Sequence, residues 1–407
     1  MFRSPSKGTP NPVRCILAAG LALLVATVAA GPAAAQPRAG DCVIGPGLAA
    51  TLLVPYFEVE LGTFTGKTTL VSVNNGLSSP TLARVVLWTD WAVPTVAFDV
   101  YLRGFDVQTI NLRDVFNGSI PSTGAGADLS GYPFCSSLTP VHANPALSPN
   151  QVAQIRGFHT GTNGPMDPRC AGEYYGDGIA RGYLTVDVVD ECSGVEAVAP
   201  IFTPANTTYP YFVDGGGSSG IAVTDNQLWG DVLYVDASRN FAQGMEVVGL
   251  WADPALFSGT NIFTFYGRYS GWDGRDDRVP LPYRWDQRFL NGGAFAGGAN
   301  MIVWRDTESS AASPLPCAAE PSWKPLMATC GCMDEQAGNY HGLPQTTFPL
   351  ATQRVDVAAM GVPYPFGWMQ IDGATSQVWV QSTLTAEGRY SATLNGTPVE
   401  FLCNRTP

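Results

Sequence analysis

In the stretch Val96-Ala97-Phe98-Asp99-Val100-Tyr101-Leu102-Arg103, Val96, Phe98, Val100 and Leu102 fall on alternate positions, while Asp99 and Arg103 fall between them. A strand points successive side chains to opposite faces, so this spacing predicts a strand with one buried and one solvated side. The pattern returns in "GYLTVDVVD", with Leu184, Val186 and Val188 inward and Thr185 and Asp187 outward, and in "RYSATL", with Tyr390, Ala392 and Leu394. Further strands are expected at 68–73, 82–89, 231–236, 245–251, 300–304 and 377–384, each bounded by Gly, Pro, Asn or Asp. Asn395-Gly396 reads as the type I′ turn of a hairpin. Pro398, lacking an N–H, puts its strand at a sheet edge or faces outward. With 45 glycines, 32 prolines and 14% charged residues, the composition also reads as a loop-rich all-β protein.

One helix is predicted near 149–158. Ser148 caps it, Pro149 suits its first position, Gln151 completes a capping box, and Gly157 lies near its stop. The Pro- and Gly-rich segment 117–147 before it reads as irregular. The domain reading is a β-sandwich over 36–200 with an insertion at 117–175, then a second β-rich region over 201–407, packed into the same sandwich or beside it.

Residues 67–116, "KTTLVSVNNGLSSPTLARVVLWTDWAVPTVAFDVYLRGFDVQTINLRDVF", carry an apolar strand ending at Asn74-Asn75, a loop with Pro80, a valine-rich strand, then Phe98–Leu102 and "INL" before an acidic turn. This stretch resembles the immunoglobulin-like β-sandwich modules of bacterial secreted and surface proteins. The resemblance implies a sandwich fold and an exterior setting but no activity, because such modules host many functions.

The N-terminus fits that setting. Arg3, Lys7 and Arg14 precede an apolar run from Cys15 to Ala30, and Ala33-Ala34-Ala35 closes it, so a signal peptide over 1–35 is expected, cleaved near Ala35-Gln36. No later run reaches the roughly 20 apolar residues of a membrane span. The mature chain keeps 19 of the 22 basic residues against 34 acidic ones, a net charge near −15, which opposes binding to nucleic acid. Export also decides the cysteines. Cys15 leaves with the signal, and Cys42, Cys135, Cys170, Cys192, Cys317, Cys330, Cys332 and Cys403 remain, an even set expected to form disulfides. The pairings favoured are Cys170 with Cys192 or Cys135, Cys317 with Cys330 or Cys332, and Cys42 with Cys403.

No coherent catalytic set emerges, which favours a non-enzymatic structural, adhesive or binding role. Gly216-Gly217-Ser218-Ser219-Gly220 matches the G-x-S-x-G pattern, but the residues after it, "IAVTDNQLWGDVLYVD", lack helical periodicity, so Ser218 is read as part of a glycine-rich turn. Cys317, Cys330, Cys332 and His341 have the atoms of a zinc site without its usual spacing, and disulfides are preferred; no metal centre is assigned. His142 and His159 flank the predicted helix and are read as surface or loop residues.

The richest ligand-binding candidate is "WDGRDDRVPLPYRWDQRF". Trp272, Tyr283 and Trp285 stand there among Asp273, Asp276 and Asp277, aromatic rings beside hydrogen-bonding charges, as a sugar-binding face or a protein contact requires. Calcium is the one cofactor that the Asp cluster brings into question, although the spacing departs from an EF-hand, and Arg275 and Arg278 offer neutralisation instead. The partners considered are a glycan or a surface protein. The competing functional reading is a secreted carbohydrate-binding or carbohydrate-hydrolysing protein that uses residues 265–290.

Overall fold

The run Thr51–Glu60 (β1), absent from the strands expected from alternation, is buried over every residue but its last. Pro55 interrupts its pattern, and the register with its neighbour shifts between Val54 and Phe57, so the missing N–H falls at a bulge. The computed structural model describes residues 47–122, 145–162, 171–190, 195–197, 222–252, 278–279 and 281–305. Beyond these it describes 326–329, 331–334, 339–342, 346–348, 350–361, 364–373, 377–386 and 390–400. All belong to one compact unit.

The first half builds two facing antiparallel sheets. After β1 come β2 (Lys67–Asn75), β3 (Thr81–Thr89), β4 (Pro94–Leu102), β5 (Val107–Asn111), β6 (Ile179–Val189), β7 (Glu196–Ala197), β8 (Leu228–Asp236), β9 (Phe241–Glu246) and β10 (Val248–Leu250). A six-stranded sheet runs β10-β1-β6-β3-β4-β7, and a four-stranded one runs β5-β2-β8-β9. They share a core in which Val85, Phe98, Val100 and Val186 of the first sheet meet Val71, Ile110 and Val232 of the second. The pairing crosses residue 200, since β8 lies against β2 and β10 against β1. The single strand expected at 245–251 is two strands: β9 serves one sheet and β10 the other, and the chain crosses over at buried Val247.

The second half repeats the plan. Its strands are β11 (Arg284–Leu290), β12 (Ala299–Arg305), β13 (Leu326–Thr329), β14 (Gly331–Asp334), β15 (Asn339–Gly342), β16 (Thr346–Phe348), β17 (Thr352–Asp356), β18 (Phe366–Asp372), β19 (Val378–Ala386), β20 (Tyr390–Asn395) and β21 (Thr397–Glu400). Sheets β16-β13-β18-β11-β21 and β17-β12-β19-β20 enclose a second core around Trp285, Phe289, Met301, Met369 and Val380, with β14-β15 as a separate pair. The architecture is thus sandwich-like and all-β, with few helices among the described residues.

The hairpin expected at Asn395-Gly396 does not form. Its two arms belong to different sheets, β20 against β19 and β21 against β11, and Gly396 alone carries the chain across. Pro398 does lie on an edge strand, β21.

The predicted helix is present as Pro149–Thr160, with the Ser148/Gln151 capping box formed. It runs past Gly157 and stops at Gly161, whose φ of 69° only glycine adopts freely and whose added Cβ would lie 2.7 Å from the Tyr174 backbone. A shorter helix, Leu112–Phe116, is capped by Asn111.

Alternation placed most of its strands but not all of their polar faces. Thr185 and Asp187 are fully buried, and Asp99 is 6% exposed. The reason is the second sandwich: Trp304, Leu281 and Ala351 close over the face of the six-stranded sheet opposite its first core. Trp88 and Tyr183 stack with ring centres 5.6 Å apart, and Trp304 meets Tyr183 edge-on at 5.8 Å. Trp88 is therefore a packing residue and part of the aromatic junction between the halves.

Candidate functional site

The covered face of the six-stranded sheet can be followed along β6, which turns Arg181, Tyr183, Thr185 and Asp187 to the same side. Asp187 stands in a buried polar row, directly across from Thr51 of β1 and Arg84 of β3, and Arg84 stands across from Asp99 of β4. Arg278 is buried and reaches Asp187 at 4.0 Å, so two arginines face two aspartates. Tyr183 belongs to the aromatic junction. Arg181 lies beyond it, where the two sandwiches part.

There the sheets leave a cleft of about 470 Å³. The charged side chains lining it are Glu58, Lys67, Arg181, Asp236, Arg239 and Arg354. Tyr56, Tyr175, Tyr234 and Phe241 contribute rings, and Thr68, Gln243, Asn300 and Thr383 are among its hydrogen-bonding groups. The walls come from β1, β2, β6, β8 and β9 on one side and β12, β17 and β19 on the other. Contacts that join them include Arg354 Nη1 donating to Glu58 Oε1 at 2.9 Å, Thr352 Oγ1 donating to the Pro55 carbonyl and Gln381 Nε2 donating to Met245 Sδ at 3.4 Å, and beside them Gln243 Nε2 donates to the Ala392 carbonyl of β20 at 2.9 Å.

Glu58 accepts two cations. Besides Arg354, Lys67 Nζ lies 3.4 Å from it, and the carboxylate is 9% exposed while the Lys67 and Arg354 side chains are 29% and 22% exposed. Arg181 is paired with Asp177 through two hydrogen bonds of 2.9 and 2.5 Å, and its guanidinium lies 4.3 Å from the centre of the Tyr175 ring.

Behind this wall lie two buried titratable groups, Asp90 and His159. Burial pushes the Asp90 carboxyl up to about 7, partly offset by the Glu173 N–H that it accepts at 2.9 Å. The Tyr175 phenol is raised by burial and by the neighbouring Asp90. His159, expected at the surface or in a loop, is instead 2% exposed, in the last turn of its helix against Phe57 and Phe116, because its ring completes the aromatic packing beneath β1. Its Nδ1 donates to the Arg181 carbonyl at 2.8 Å, which leaves Nε2 to accept from Thr95 Oγ1 at 2.7 Å. Burial lowers its pKa to about 4.

The sequence-derived candidates fare differently. Tyr283 and Trp285 are 7% and 2% exposed. Trp285 packs edge-on against Trp379 and donates its indole N–H to the Val378 carbonyl at 2.6 Å, so its ring is occupied by the second core. Trp272, Asp273, Asp276, Asp277 and Ser218 lie outside the described residues, as do His142 and the side chains of all eight expected disulfide cysteines. The β14-β15 pair sets Cys332 opposite His341 in backbone register. Among the described residues no group of three or more His, Cys, Asp or Glu is placed to hold a metal, and no helix is long and apolar enough to cross a membrane. The cleft leaves no signature in the sequence, because its lining is scattered from Tyr56 to Thr385 and only folding assembles it.

Comparison of the chain with known protein families, with curated proteins and with solved structures returns no match.

Proposed function

We propose that the chain is an exported, non-enzymatic β-sandwich protein with a binding role at the bacterial cell surface or outside the cell, and that the cleft between its halves is the ligand seat. The cleft carries this reading. Its size is in the range of small-ligand sites, and its walls combine rings with several converging hydrogen-bonding and charged groups. The signal-like N-terminus supports export, and the eight remaining cysteines support disulfides formed outside the cytoplasm. Over 67–116, β2 and β5 lie in one sheet and β3 and β4 in the facing one, a division that supports an immunoglobulin-like module there.

The test screens small hydrophilic ligands by thermal shift against the exported mature chain and against Thr383→Trp, which fills the cleft. A ligand that stabilises the parent, fails on the folded variant and is recovered unchanged agrees with the proposal. A ligand converted to product by the parent removes the non-enzymatic half, and equal stabilisation of both proteins removes the cleft. The competing carbohydrate reading of 265–290 has lost the Tyr283 and Trp285 rings to the interior. What is left of it rests on Trp272 and its aspartates, and glycan binding abolished by Trp272→Ala is the result that favours it.

A further inference from the structure

The charge of the cleft opposes that of the chain. The protein as a whole carries a net charge of −12, yet the lining has four cations, Lys67, Arg181, Arg239 and Arg354, against two carboxylates, Glu58 and Asp236. Two of the cations are balanced locally, Arg181 by Asp177 and Arg239 by Asp236 at 3.6 Å. The other two share a single carboxylate, Glu58, and they are the more exposed partners. A ligand entering from solvent therefore meets uncompensated positive charge. Taking a cation out of water without full compensation is costly, and an anion from outside meets that cost.

Two further groups have unmet demands. Arg354 Nε and Thr383 Oγ1 are buried without a hydrogen-bond partner among the described residues. The rest of the lining is suited to hydroxyls, and the rings of Tyr175 and Phe241 stand beside it.

Resting on the cleft being a ligand seat, we propose that its ligand is an acidic saccharide of the uronate class, its carboxylate held between Lys67 and Arg354 and its hydroxyls by the polar wall. Arginine and lysine supply the charge-assisted donors that a carboxylate accepts, and the volume suits one or two sugar rings.

The experiment is titration calorimetry of the mature chain with galacturonate, digalacturonate and their neutral counterparts galactose and galactobiose, at low and high salt. The acidic sugars are expected to bind at least about tenfold more tightly than the neutral ones, with the margin shrinking in salt. Lys67→Gln and Arg354→Gln are each expected to cost about tenfold, while Glu58→Gln, which frees both cations, binds as tightly or more tightly. Circular dichroism and thermal midpoints confirm that each variant is folded. Equal affinity for a neutral sugar, or unchanged uronate affinity in both cation variants, overturns the acid preference and leaves a binding cleft standing. If no acidic sugar binds the folded parent saturably, the saccharide assignment is overturned. If in addition the Thr383→Trp screen finds no cleft-dependent ligand, the seat itself is overturned.

Discussion

Arg84 Nη1 and Asp99 Oδ1 meet at 2.9 Å across β3 and β4, with side chains 3% and 8% exposed. The pair sits in the polar row that continues through Asp187 to Thr51, beneath the second sandwich. Removing one partner takes from the other its 2.9 Å charge-assisted hydrogen bond in a dry place. Asp99→Ala is expected to destabilise by about 3 to 5 kcal/mol, whereas the double change Arg84→Met/Asp99→Leu recovers most of that loss, because Asp187 keeps Arg278. Urea denaturation of the three proteins measures it, and additive losses would show that the two residues do not act as a pair.

The two buried groups behind the cleft oppose each other in pH. Asp90 has its pKa raised from 3.8 to about 7 in the fold, so between those values only the unfolded chain releases the proton, and stability falls as pH rises. His159 has its pKa lowered from 6.5 to about 4, so over that window only the unfolded chain takes up a proton, and stability falls as pH drops. Between roughly pH 4 and 6.5 the two slopes, each about 1.4 kcal/mol per pH unit, cancel. Relative to the parent, Asp90→Asn is therefore expected to gain stability with rising pH across this window, and His159→Gln to lose it. Denaturation series at several pH values test this, and parallel curves for all three proteins would refute it.

Trp285 belongs to the second core. Trp285→Ala is expected to cost about 3 to 5 kcal/mol through the cavity that it leaves and the loss of its contact with Trp379. Any glycan affinity of the protein that remains folded should be unchanged. Lost sugar binding at undiminished stability would return this ring to a binding face.

Gly396 is glycine for space. A Cβ there would stand 2.7 Å from Cε3 of Trp285 and 2.9 Å from the Gln287 amide oxygen. Gly396→Ala is expected to destabilise by about 1 to 3 kcal/mol. Gly396→Asn, which a left-handed turn position tolerates, should be at least as damaging. Thermal midpoints distinguish the two explanations, since an Asn milder than Ala would point to a turn.

Much of the local structure was legible from neighbours in the chain. Alternation found β2, β3, β4, β6, β8, β12, β19 and β20, and Ser148 with Gln151 marked the start of the helix, because strand period and capping act over two to four residues. Pro398 announced an edge because its missing N–H is an intrinsic property. β1 escaped because Pro55 broke a pattern that a bulge absorbs in the fold. β11 reads as a ligand face because a row such as Trp285, Gln287 and Phe289 looks the same whether water or a second sheet lies opposite.

The amino-acid order by itself determined that this chain forms short strands with a capped helix among them, since those choices follow from covalent geometry and the nearest side chains. Only the tertiary structure decided that Asp99 and Asp187 are interior, that Asn395-Gly396 links two sheets instead of closing a hairpin, and that Glu58, Arg181 and Arg354 line one cleft. Each of these depends on which sheet face another part of the chain covers. That is set by contacts between residues hundreds of positions apart, as between Glu58 and Arg354, and no local pattern records them.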